Sequence, residues 1–158
     1  MHLYFLRHGP AGSKAHWSGH DEERPLTEDG RAVVLASARL LARTEVAIDA
    51  ILTSPLVRAR QTAENAAAEL DAGAAVDDSR LAPGFNRKRL TALLADHRDV
   101  QAILLVGHET DFSSTIRELT GGTVVCKKGG IARVDIDEGT MRGELVWLLP
   151  PMITGLEP

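Results

Sequence analysis

The stretch Ala102-Ile103-Leu104-Leu105-Val106-Gly107-His108 decides the fold class. Five apolar residues in a row, with no polar alternation, do not suit a sheet that shows one face to water. A strand of this kind is covered on both faces. It stops on glycine and histidine. Asp111 to Leu119 then reads as a helix, with Gly121-Gly122 as its stop signal. Outward from this run, His2 to Leu6 is a second apolar strand that ends at Arg7-His8-Gly9-Pro10, and Asp49 to Thr53 is a short third one. Between them, Thr27 is placed to cap a helix whose first turn carries Glu28 and Asp29 and which fades by Arg43-Thr44. Ser54-Pro55 ends the third strand and opens a helix from Leu56 to about Leu70, with Pro55 near its first position. Val76 anchors a weak strand, Pro83-Gly84 a turn, and Arg89 to Asp96 a short helix with Leu90, Leu93 and Leu94 on one side. Ile131 to Ile136 and Glu144 to Leu149 form a hairpin around Asp137-Glu138-Gly139; Pro150-Pro151 ends it, and the last residues are expected to be loose. The alternation predicts an α/β three-layer sandwich: a mostly parallel central sheet flanked by helices, with an antiparallel C-terminal hairpin at its edge.

The 158 residues suit one domain over 1–158, and 44% apolar with 25% charged residues is ordinary globular usage. The formal charge of −4 provides no basic field for a nucleic-acid backbone, so no nucleic-acid partner is expected. Cys126 is the sole cysteine and has no internal partner; it reads as an inert buried thiol. The sequence shows no charged-then-apolar leader and no apolar run as long as a membrane span. The expectation is a cytoplasmic monomer with no membrane contact.

In open α/β sheets ligands bind at the carboxyl ends of the strands. Those ends carry Arg7-His8, Ser54-Pro55 with Arg58 one turn on, and His108 before a helix N-terminus. If the strands are parallel, two arginines and two histidines share one edge. Guanidinium forks match phosphate oxygens, and helix N-termini favour anions. The nucleophile comes by comparison of the options. A G-x-x-x-x-G-K-[ST] loop is absent, and Cys126 and Arg133 are seven apart, one more than a cysteine phosphatase loop needs. His16, His20 and Asp21 are the sole metal-like grouping, and they lie in a Gly/Ser-containing loop. Histidine remains: an imidazole nitrogen can accept a phosphoryl group and pass it to water, provided it is neutral. Nearby arginines lower the pKa of His8, and the helix N-terminus does so for His108.

Four ordered segments carry a resemblance. Arg7-His8-Gly9 after an N-terminal strand resembles the R-H-G signature of the histidine phosphatase superfamily, the phosphoglycerate-mutase-like enzymes. Arg24-Pro25-Leu26-Thr27 with Gly30 resembles R-P-L-T-x-x-G. Ser54 to Ala63 resembles S-P-x-x-R-A-x-Q-T-A, and Val106-Gly107-His108 resembles the segment with the second histidine. The short length, without lid insertions, resembles the SixA-type phosphohistidine phosphatase branch. The resemblance implies a phosphoglycerate-mutase-like fold and a metal-independent, cofactor-free phosphatase. It assigns His8 as the nucleophile that becomes phosphorylated, with Arg7, Arg58 and His108 holding the phosphoryl oxygens.

One departure bears on the substrate. Many family members carry a Glu after the third strand that protonates the leaving oxygen, whereas Asp78 to Phe85 contains none here, as in SixA-type members. An alkoxide is a poor leaving group, with a conjugate-acid pKa on the order of that of water, roughly 15.7. Imidazole leaves with a conjugate acid near pKa of about 6.5 and needs little acid help. The absence therefore favours a phosphohistidine-bearing protein as partner over a small phosphorylated metabolite. Glu109 beside His108 stands as a possible general acid, as do Asp21, Glu22 and Glu23 if their loop folds over the site. A non-catalytic phospho-ligand module and a metal hydrolase on His16, His20 and Asp21 are the remaining readings. Arg60 and Arg87-Lys88-Arg89 read as solvated faces, though the latter could steer an anionic partner. His2 and His97 read as structural or solvated, Trp147 as core, and Trp17 as pocket rim, core or exposed.

Overall fold

The computed structural model describes residues 1–44 and 46–155. Ten regular elements follow one another: β1 (His2–Arg7), α1 (Glu28–Ala42), β2 (Ala50–Thr53), α2 (Val57–Leu70), β3 (Val76–Asp77), α3 (Arg87–Ala95), β4 (Ala102–Gly107), α4 (Asp111–Thr120), β5 (Ile131–Asp137) and β6 (Arg142–Leu149). The strands form one sheet in the order β3-β2-β4-β1-β5-β6. β1, β4, β2 and β3 run parallel, while β5 and β6 are antiparallel. This is the three-layer α/β sandwich with a hairpin edge that the strand pattern predicts.

The two central strands bury side chains on both faces, which is why their runs do not alternate. Leu3 and Phe5 of β1 join Ile103 and Leu105 of β4 on one face, under Leu90 and Leu93 of α3 and Phe112 and Ile116 of α4. Tyr4 and Leu6 join Leu104 and Val106 on the other, under Ala38 and Leu41 of α1 and Ala59, Ala63 and Ala66 of α2. The small residues on α2 bring its backbone close to the sheet, and that brings Arg58 of its first turn close to the strand ends.

Caps set the helix starts. The Gly30 N–H donates to Thr27 Oγ1 at 2.9 Å, as the Thr27 cap predicts. α2 starts one residue later than expected. Leu56 is extended and serves as its N-cap, and its N–H donates to Ser54 Oγ at 3.4 Å, so Pro55 stays outside the helix. α3 starts two residues earlier than expected, because Asn86 Oδ1 accepts from the Arg89 N–H at 3.1 Å; Arg87 and Lys88 are its first turn. Trp147 is half-buried on the edge strand, tilted 5.9 Å from the Tyr4 ring, rather than in the core. Pro151–Thr154 forms a 3-10 turn with Pro151 buried, so the expected loose tail does not begin there; residues 156–158 lie outside the described residues. Among the described residues, no helix is long and apolar enough to cross a membrane.

Gly30 fits α1 against the turn after β1. A Cβ there would collide with the Pro10 carbonyl oxygen and lie 3.0 Å from Thr27 Oγ1. The Pro10 oxygen also accepts from the Thr27 N–H at 3.0 Å, so it has no room to retreat. Gly30→Ala is expected to destabilise the fold by roughly 1–3 kcal/mol. The effect should appear as a lower urea midpoint at an unchanged m-value.

Candidate active site

β1 and β4 pair in parallel with Arg7 opposite Gly107, so the residues after each strand leave the sheet side by side. The His8 N–H donates to the Gly107 carbonyl at 3.0 Å. Gly107 lacks a Cβ that would sit 2.6 Å from Cζ of Phe112, which lets α4 begin directly behind His108. The segment from Cys126 to Gly130 closes the other side. The Gly129 N–H donates to the carbonyls of Arg7 and His8 at 3.0 and 3.2 Å, and Arg7 Nη1 donates to the Cys126 carbonyl at 2.8 Å. Arg7 Nε is buried and, among the described residues, has no hydrogen-bond partner. A buried, unspent guanidinium donor beside two imidazoles is suited to an anion.

The His8 ring has fixed roles. Its Nδ1 lies 2.8 Å from the Gly9 carbonyl oxygen, which only accepts, so Nδ1 carries the proton. Its Nε2 accepts from Nε of Arg58 at 3.4 Å, a group that only donates, so Nε2 carries no proton and presents its lone pair. His108 Nε2 lies 2.8 Å from Ser54 Oγ, and the two imidazole centroids are 5.2 Å apart. Burial pushes the His8 pKa down to about 3, with His108, Arg58 and Arg7 adding to the fall and the Gly9 contact opposing it. Burial also takes His108 down to about 4, assisted by Arg58 and Arg7. The sequence pointed to the arginines as the cause; burial is the larger one. Both rings are neutral at neutral pH, and each senses both arginines.

Arg58 is 5% exposed. Its Nη1 donates to the Asp21 carbonyl oxygen at 2.7 Å, and its Nη2 lies 3.3 Å from Asp21 Oδ2. Asp21 also accepts from Arg24 Nε at 2.9 Å. Burial alone would raise the Asp21 pKa, but the Arg24 hydrogen bond and the Arg58 charge hold it below the usual carboxylate range. Asp21 is therefore ionised at neutral pH and unsuited to the general-acid role considered for it. Glu22 and Glu23 are exposed. Glu109 is half-buried, with Oε2 3.4 Å from the Ser113 N–H, and its charge acts on Arg7. His16 and His20 do not join Asp21: among the described residues no three His, Cys, Asp or Glu side chains converge. Cys126 is buried, and burial pushes its thiol up to about 12, in keeping with an inert role.

The structure thus brings Arg7, His8, Arg58 and His108 together and leaves His16 and His20 in the neighbouring loop. Sequence reasoning missed three supporting residues. Ser54 holds His108. Thr62 Oγ1 accepts from the Gly9 N–H at 3.1 Å while donating to the Arg58 carbonyl at 2.7 Å. Gln61 Oε1 accepts from the Leu26 N–H at 2.8 Å. One signal was available: Thr62 lies four residues after Arg58, on the same face of α2.

The depressed histidines tie stability to pH. From about pH 6.5 downward the unfolded chain binds protons that the folded chain refuses until about pH 4 and 3, so stability falls on acidification through that window. Unfolding free energies from urea titrations between pH 4.5 and 6 should show wild-type protein losing about 1.4 kcal/mol per pH unit more than His8→Gln, the contribution of one proton.

Comparison with known proteins agrees with this geometry. A family model described as the histidine phosphatase superfamily (branch 1) matches residues 3–82. An uncharacterized protein of Picosynechococcus is 40% identical over 141 residues, 83% of this chain and 82% of that one. The phosphohistidine phosphatase SixA of Escherichia coli is 28% identical over 156 residues, 96% of this chain and 94% of that one. The solved structure of the protein histidine phosphatase SixA complexed with tungstate superposes with a TM-score of 0.87 at 27% identity, covering 97% and 99% of the two chains. The alpha-ribazole phosphatase from Shigella flexneri shares the fold, with a TM-score of 0.75 at 21% identity over 96% and 97% of the two chains. Because the matched segment opens on the strand that delivers His8 and extends over half the chain, this protein belongs to the histidine phosphatase superfamily, branch 1.

Proposed function

We propose that this protein is a phosphatase that removes the phosphoryl group from phosphohistidine on a protein, by way of a covalent intermediate on His8. The observation that carries the reading is the His8 ring itself: neutral, its Nδ1 proton given to the Gly9 carbonyl, its Nε2 lone pair facing Arg58. In the first step that lone pair forms a P–N bond while the P–N bond to the substrate imidazole breaks. The substrate ring, protonated on its other nitrogen, departs as neutral imidazole, and the departing nitrogen keeps the electron pair as its lone pair. Arg7, Arg58 and His108 hold the non-bridging oxygens and stabilise the charge that develops on them. In the second step water attacks phosphorus, the bond to Nε2 breaks, and inorganic phosphate leaves a neutral His8.

The substrate class rests on the leaving group. Residues 78–85 supply no Glu, and Asp78 is committed to Arg80, with Oδ2 2.6 Å from Nη2. A phosphohistidine imidazole departs without a strong acid, whereas an alkyl phosphate needs one, which Glu109 is the nearest residue in sequence to provide. The similar SixA structure holds tungstate, a tetrahedral oxyanion shaped like the phosphoryl group. A small-molecule phosphomonoesterase is the competing reading.

Incubation with a radiolabelled phosphohistidine protein should trap an acid-labile phospho-enzyme that His8→Ala does not form. A His8→Ala enzyme with a tenth of the wild-type rate refutes the nucleophile. In a substrate panel the phosphohistidine protein should exceed sugar and nucleotide phosphates in kcat/KM; strong preference for the alkyl esters transfers the assignment to the phosphomonoesterase. Binding without any turnover identifies a non-catalytic module. Removing the Arg58 donors with Arg58→Ala should lower kcat about 10²–10³-fold, by analogy with a lost oxyanion-hole donor.

A further inference from the structure

Asp21 lies in a loop, on a single 3-10 turn, yet it is bonded to the arginine nearest the reactive nitrogen of His8. Arg58 faces a problem common to buried guanidiniums: it has five donors to direct and a charge to offset. Asp21 answers both needs. Its carbonyl and carboxylate take Nη1 and Nη2, and this leaves Nε on the edge that meets His8 Nε2. Among the described residues no other carboxylate pairs with Arg58. Asp21 is itself held from the far side. Arg24 Nε binds Oδ1, while Arg24 Nη1 donates to the carbonyls of Ala11 and Gly12 at 2.6 and 3.0 Å. Those two residues directly follow the His8-Gly9-Pro10 turn, so the network runs from His8 through Arg58, Asp21 and Arg24 back to the chain just beyond His8.

We propose that Asp21 is a positioning residue for phosphoryl transfer, which turns the Arg58 fork so that its Nε edge faces His8 Nε2 and the transferring phosphoryl group. The proposal rests on the phosphatase reading above. Its electrostatic side is that Arg24 and Arg58 share the one Asp21 carboxylate, which leaves net positive charge beside His8 for a phosphoryl group. Without the Asp21 carboxylate the fork keeps only its backbone contact at Nη1 and can turn about it, and a displacement of about 1 Å at a reacting centre is enough to cost on the order of 10²-fold.

The test uses the full chain. Asp21→Ala should lower kcat about 10- to 100-fold with KM changed by less than about threefold, and Asp21→Asn, which keeps a side-chain oxygen acceptor, should recover much of the loss. Single-turnover labelling of His8 completes a double-mutant cycle: in an Arg58→Ala background, Asp21→Ala should change the rate less than about twofold, because its effect passes through Arg58. A kcat within twofold of wild type for Asp21→Ala, or the same fractional loss with and without Arg58, overturns the proposal. A second readout does not depend on turnover. The Arg58 Nε–H resonance in proton–nitrogen NMR spectra should be resolved in wild type and Asp21→Asn and lost in Asp21→Ala, and its persistence in Asp21→Ala overturns the proposal. A wild-type protein that forms no phospho-enzyme refutes the phosphatase reading instead, and the NMR comparison then still decides whether Asp21 orients Arg58.

Discussion

The structure depends on the parallel pairing of β1 with β4, in the register that sets Arg7 beside Gly107. A slip of one residue would turn every side chain of a strand to the opposite face. Here both faces are apolar, so the pattern of faces alone does not forbid a slip. The shapes packed against the strands do that: Phe5 meets Phe112 of α4 edge-on at 5.2 Å, and Tyr4 meets the tilted Trp147 ring of β6 at 5.9 Å. With the register held, two polar strand ends emerge at one edge, and His8 and His108 are within 5.2 Å of each other without any loop having to carry them there.

That placement decides the chemistry by way of desolvation. Two imidazoles between two guanidiniums would resist protonation anywhere, but burial is the stronger influence on both. The same burial strains the electrostatics of the arginines, whose charged forms lose hydration. Arg7 is left with one carbonyl partner and an unspent Nε, and Arg58 recruits a carboxylate from a loop. The site is therefore short of anion partners in the protein itself, and a tetrahedral oxyanion would complete it. Stability and the proposed chemistry draw on one set of groups here, because the burial that keeps His8 neutral also makes the fold sensitive to acid.

The scaffold is shared more widely than any one reaction. The alpha-ribazole phosphatase structure shares this fold at 21% identity, so fold alone does not name a substrate. The feature that bears on the substrate is local. Residues 78–85 hold a 3-10 turn at Ser79–Leu81 with Asp78 tied to Arg80, where a protonating glutamate would otherwise be expected. That segment is occupied with building a turn, which leaves it no free acid.

The sequence by itself determined the layers, the parallel sheet, the hairpin edge and the four residues that meet at the strand ends. These depend on information that is local in the chain. Unbroken apolar runs mark doubly covered strands, Thr27 and Gly121 mark helix ends, and whatever follows a parallel strand lies at the ligand edge. Errors arose where one hydrogen bond set a boundary, as with Asn86 starting α3 and Ser54 delaying α2. Tertiary structure alone decided the tautomer of His8, the support that Ser54, Thr62 and Gln61 give, and the role of Asp21, which read as a candidate acid or metal ligand and proved to be the counter-ion of two arginines. Asp21 and Arg58 are 37 residues apart, and Thr62 and Gly9 are 53 apart. No periodicity records such pairs, because a loop carboxylate acquires its partners, and the lowered pKa they give it against its desolvation, only when the folded chain brings them together.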